Sequence, residues 1–232
     1  MQACYYDGDS RPSIPLLPNA IAFYAGESGR SRISHVYPSS TNQHWYILDV
    51  EVNDLDRIIP LANYLPYVQW APDRTARELD LVSHVPFWIV TSAGLGVPVM
   101  HKDTTSLMHG DKLFEYSRRG LRYSVFVTIN WPGYPAWKAQ VKMMEKTILS
   151  GGGPFTYRRL VNQVKCKIRK FFREHEGRET SNPHWAVGTL EGRISAIDVT
   201  LLAIINVSPG RVIPVLKLRD GFIFADVAGP EQ

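Results

Sequence analysis

The stretch from Tyr157 to Arg173, "YRRLVNQVKCKIRKFFR", holds seven of the chain's 26 Lys and Arg residues and no acid. At about 100° per residue, Tyr157, Leu160, Val161, Val164, Ile168, Phe171 and Phe172 fall within a third of a helical circle. Arg158, Arg159, Lys165, Arg169, Lys170 and Arg173 take the other side, with Lys167 at the margin. Like charges at i, i+4 repel by ~0.2–0.5 kcal/mol per pair, so solvated helices usually mix signs. A face this one-sided calls for an anionic partner, whether nucleic acid, an acidic protein or a membrane surface. The remaining 19 cations stand against 22 Asp and Glu residues, so the rest of the chain is mildly acidic.

Three glycines and a proline, Gly151 to Pro154, lead into this stretch. Glycines before a helix can cradle a phosphate. A Walker loop, however, ends Gly-Lys-Ser/Thr, and a dinucleotide fingerprint follows a strand. Here Pro-Phe-Thr closes the glycines. The expected arrangement is a hinge between two helices, with Gly151 stopping the first and Thr156 capping the second.

A second chemistry lies in "HKDTTSLMHGD", where His-x-Asp occurs twice as His101, Asp103, His109 and Asp111. Imidazole and carboxylate donors together suit zinc, manganese or iron, and a metal-assisted hydrolase or related enzyme is the alternative reading. Loops also collect these residues for no chemical reason. No HExxH, CxxC or GxSxG occurs, and nothing calls for a cofactor. Asp49 and Glu51 share one strand face, which reads as a solvent-facing edge. Cys166 falls amid the cations, where a thiol can be activated, and His175 or His184 would be its partner in catalysis. An exposed bystander thiol accounts for it more simply.

The elements that must position these groups read as α+β, with a mostly antiparallel sheet and helices packed on it. "NAIAFYA" and "HWYILDVEV" have strand patterns, as do "PFWIVT" and "RYSVFVTINW". Asp54 or Asp56 and then Asp73 could cap helices running to Tyr64 and Ser83. Ala136 to Ser150 places Trp137, Val141, Met144 and Ile148 at helical spacing. "DVTLLAIINV", "VIPVLKL" and "FIFADV" form an expected three-stranded meander, with Asp220-Gly221 as a hairpin turn.

The 232 residues suit a single domain spanning 1–232 with Gly151–Pro154 inside it. Hydrophobic residues at 44% and charged residues at 21% fit a folded protein and exclude a disordered one. The apolar run Val199 to Ile205 is too short to span a bilayer. "MQACYYDGDSRPS" has no leader pattern, and two distant cysteines make no disulfide framework, so an intracellular, cytoplasmic or nuclear, setting is expected.

From "INWPGYPAW" onward the chain resembles a family of uncharacterised proteins from mushroom-forming (basidiomycete) fungi. The matching pieces are Trp131 to Tyr134, the basic helix from Tyr157, Trp185 to Gly188, and "VSPGRVIPVLKL" from Val207. They cover about the last hundred residues, and the resemblance implies an intracellular fungal protein without an activity to carry over.

Overall fold

The computed structural model describes residues 2–7, 20–25, 35–38, 44–47, 49–51, 57–60, 87–102, 104–114, 124–143, 155–208 and 210–224. Near the start, β1 (Gln2–Asp7), β2 (Ala20–Ala25) and β5 (Asp49–Glu51) form a three-stranded sheet in the order β1-β2-β5, parallel at both pairings. Between β2 and β5 in sequence, β3 (His35–Pro38) and β4 (His44–Ile47) pair antiparallel as a separate ribbon. The single strand expected over "HWYILDVEV" is thus divided between two sheets, β4 in one and β5 in the other. Of the helix expected from Asp54 or Asp56 to Tyr64, residues 57–60 are described and are not α-helical: Ile58 bridges Lys217 and the Ile59 N–H donates to the Leu216 carbonyl at 3.0 Å. The helix expected after Asp73 lies outside the described residues.

The larger sheet follows from two hairpins. The first joins β10 (Ser124–Ile129) to β11 (Trp137–Lys142), and the second joins β12 (Val199–Ser208) to β13 (Arg211–Leu218). Between them runs α1 (Tyr157–His175). A chain that leaves one hairpin, crosses over by a helix and returns can bring its last strand alongside the first in the same direction. Accordingly β13 meets β10 parallel, with Phe126 opposite Arg211 and Val127 opposite Val212. The short strands β6 (Phe87–Trp88) and β9 (Val97–Pro98) pair with β12, and β7 (Val90–Thr91) and β8 (Gly94–Leu95) turn between them. The fold is α+β; among the described pairings six are antiparallel and three parallel, the latter being β1–β2, β2–β5 and β10–β13, so the expected antiparallel character holds only in part. Parallel pairs arise from long connections, which local sequence pattern does not report.

The segment expected as a helix from Ala136 is strand as far as Lys142. Trp137, Ala139, Val141 and Met143 turn inward, while Lys138, Gln140 and Lys142 are exposed. The spacing of Trp137 and Val141 fits both a helical turn and two strand repeats, and the alternation of Lys138, Gln140 and Lys142 with the inward residues decides for the strand. Gly151–Pro154 lies outside the described residues, and the strand replaces the beginning of the first of the two helices that it was to separate. After Asp220-Gly221 the chain turns as expected, but Phe222 to Phe224 joins no strand, so among the described residues the meander has two strands there.

The apolar stripe of α1 packs on the sheet as its spacing predicts. Leu160, Val161, Val164, Ile168 and Phe171 are fully buried against Val125, Val127 and Ile129 of β10, Val141 and Met143 beyond it, and Leu201 and Leu216. Strands β12 and β13 are buried on both faces, which explains their continuous apolar runs. Trp131 anchors the rim of this core, edge-on to Phe172 at 5.0 Å and to Trp185 at 6.1 Å.

Candidate functional site

The start of α1 is closed to anions. Thr156 is extended and accepts from the Arg159 N–H. The Tyr157 N–H donates to the Lys112 carbonyl at 2.9 Å and the Arg158 N–H to the Gly110 carbonyl at 2.7 Å. These are the donors that a phosphate at a helix N-terminus would need. Gly110 also leaves room for a side chain: a Cβ there would stand 2.8 Å from Arg158 Nη2.

The six cations assigned to one face divide into two rows. Arg158, Lys165 and Arg169 lie about a quarter-turn from the apolar stripe, and all reach toward the chain from Val99 to Asp111. Arg158 donates to Asp111 through Nε and Nη2, both at 3.1 Å, and also to the Thr104 carbonyl. The Arg158 hydrogen bonds and charge hold the Asp111 carboxyl below the usual carboxylate range. Lys165 is 1% exposed and donates to the His101 carbonyl. Arg169 donates to the Val99 carbonyl at 3.0 Å. Asn162, in the same row, donates to Thr104 Oγ1 at 3.1 Å. Placing Lys165 on a solvent face is the clearest error of the wheel, since a lysine at the edge of a stripe can turn either way.

Arg159, Lys170 and Arg173 form the outward row. Arg159 lies over the Phe155 ring at 5.4 Å. Lys170 pairs with Glu174 at 3.5 Å, and Glu174 also accepts from the Trp137 indole at 2.8 Å. That indole bond, with the Lys170 ammonium adding to it, keeps the Glu174 carboxyl low against the opposing effect of burial. Arg173 is exposed, with no hydrogen-bond or ion-pair partner among the described residues. Beside it opens a cavity of about 410 Å³, lined by Arg169, Arg173, Phe172, Val187 and Ile197 among others. This cavity draws on loops remote in sequence and left no local motif to read.

Cys166 is a free, exposed thiol that accepts from Arg169 Nη2 at 2.9 Å. Neither histidine considered as its partner is placed to serve. His175 is buried, bonded to the Phe171 carbonyl at 2.8 Å and stacked on Phe171 at 4.2 Å. His184 stacks on Phe224 at 3.9 Å.

The His-x-Asp set does not gather among the described residues. Asp103 lies outside them, and Asp111 is held by Arg158. His109 lines a different cavity, of about 470 Å³, with Trp88, Met108 and Tyr157; His101 does not line it. No three His, Cys, Asp or Glu side chains among the described residues come together as a metal site would require. No helix among them is long and apolar enough to cross a membrane.

The Trp131–Tyr134 turn and the Trp185–Gly188 segment touch one another. Trp131 donates to the Trp185 carbonyl at 2.7 Å, and the Val187 N–H donates to the Tyr134 hydroxyl at 2.9 Å. Comparison with protein-family models, with curated proteins and with solved structures gives no significant match to this chain.

Proposed function

We propose that this chain is a binding module for an acidic protein segment, engaged at the C-terminal half of α1 by Lys170 and Arg173. The observation that carries this reading is Arg173, exposed beside an apolar cavity and without a partner among the described residues. A nucleic-acid backbone is the less suitable anion. It presents phosphates at regular intervals and needs a row of available cations. Three of the six, Arg158, Lys165 and Arg169, are turned to the 99–111 chain instead. An intracellular setting belongs to the same proposal, supported by the free thiol of Cys166. Kinship with the fungal family is proposed too, on the contacts that join two of its pieces.

Immobilised polyglutamate is the direct test. Wild-type protein should be retained at low salt and released as salt rises. The Lys170→Glu, Arg173→Glu double variant should pass through with an unchanged far-UV spectrum. Unchanged retention of the variant removes the proposal. With duplex DNA, two cations predict a log–log salt slope no steeper than about −2. A slope of about −4 to −5 would return the assignment to nucleic acid.

A further inference from the structure

The cavity at the end of α1 combines two chemistries. Phe172 and Val187 form a buried apolar floor, with Ala196 half-buried beside them, while Met100 and Ile197 stand on the rim, 47% and 69% exposed. Two guanidinium groups face one carboxylate, that of Glu176, whose Oε1 already accepts from Thr189 Oγ1 at 3.0 Å. Ser195 directs both its N–H and its hydroxyl to Asp198, at 3.0 and 2.7 Å. Arg169 is bonded to Val99 and Cys166. Arg173 is therefore the lining cation with donors to spare.

A polyanion without apolar groups would use Arg173 and leave the floor wet. A hydrocarbon would cover the floor and leave the guanidinium unanswered. A ligand using both has an aliphatic group close to an anion, and about 410 Å³ is within the range of small-ligand pockets. We infer that the cavity seats an aliphatic side chain of the partner segment and that Arg173 binds the carboxylate next to it. This specificity rests on the acidic-partner reading above and narrows it to segments that mix acidic and aliphatic residues.

Two labelled glutamate-rich peptides of equal length and charge, differing only in a central leucine or glycine, distinguish the two levels. The leucine peptide should bind about tenfold tighter or more, the ratio for burying much of one leucine side chain. The Met100→Ala, Ile197→Ala double variant changes only exposed rim residues. It should bring that ratio toward one, the glycine peptide serving as the reference on each protein. Arg173→Gln should weaken both peptides. Equal binding of the two peptides by wild type overturns the cavity assignment while sparing the acidic-partner reading. Failure of both peptides to bind overturns the two together. A ratio preserved in the double variant places the leucine elsewhere and also overturns it.

Discussion

The Trp131 indole N–H lies 2.7 Å from the Trp185 carbonyl oxygen, a buried bond across 54 residues of chain. The Tyr134 hydroxyl, three residues on from Trp131, accepts from the Val187 N–H at 2.9 Å. The two bonds tie the β10–β11 turn to the loop after α1. Trp131→Phe should cost about 3 kcal/mol, from lost packing and a buried carbonyl left unpaired. Tyr134→Phe should cost about 1–3 kcal/mol. Urea unfolding of both single variants and the double variant should give a sum that is not additive, because the bonds join the same two segments.

Gly133 in that turn has φ +82°, and a Cβ there would collide with Thr180 Oγ1 and stand 2.7 Å from the Asn182 nitrogen. Gly133→Ala should lower stability by roughly 2 kcal/mol or more. Adding Thr180→Ala relieves only the hydroxyl clash. The melting temperature should recover in part and stay below that of Thr180→Ala alone.

Asp198 gives the chain a defined acid response. Burial works to raise its pKa, but Arg219 Nε at 2.8 Å and the Ser195 hydroxyl and N–H outweigh it, so the carboxyl is held low. A depressed folded-state pKa gives stability that is full above the unfolded value of about 4 and lost as pH falls through the folded one. Asp198→Asn should therefore cost about 2 kcal/mol near neutrality. Thermal melts should show the gap between variant and wild type closing below about pH 4.

Thr128 Oγ1 is buried with no hydrogen-bond partner among the described residues. Thr128→Val keeps the shape and removes an unpaid desolvation. Stability should rise by about 1 kcal/mol, read as a shift of the urea midpoint with unchanged slope.

The partners of Arg158 predict unequal outcomes. Asp111 is exposed, so Asp111→Asn should leave the melting temperature nearly unchanged, and high salt should remove any residual difference. Arg158→Ala also loses the bond to the Thr104 carbonyl and the group packed beside Gly110. Its melting temperature should fall at every salt concentration.

The helix from Tyr157 was legible because its apolar residues recur at one period and Thr156 supplies a side-chain cap. The β12–β13 hairpin was legible from two long apolar runs about a turn. Trp137 and Val141 misled because a spacing of four serves both periods. "FIFADV" alternates in fact, with Phe222 buried and Ile223 81% exposed, yet Phe224 stacks on His184 instead of extending a ladder. The cations were countable from sequence, but their aim was not. Arg158, Lys165 and Arg169 lie at the margin of the buried stripe, where the loop from Val99 to Asp111 sets their direction. Such long-range contacts leave no periodic trace.

Arg158, Lys165 and Arg169 hold that loop by the oxygens of Thr104, His101 and Val99, which belong to the main chain. Every amino acid offers the same oxygen, so the tether is indifferent to side-chain identity along the strand of chain it grips. It is sensitive to length instead. A point change at His101 leaves the acceptor where it was, whereas removal of one residue between Val99 and Thr104 would put the three oxygens out of step with the helix.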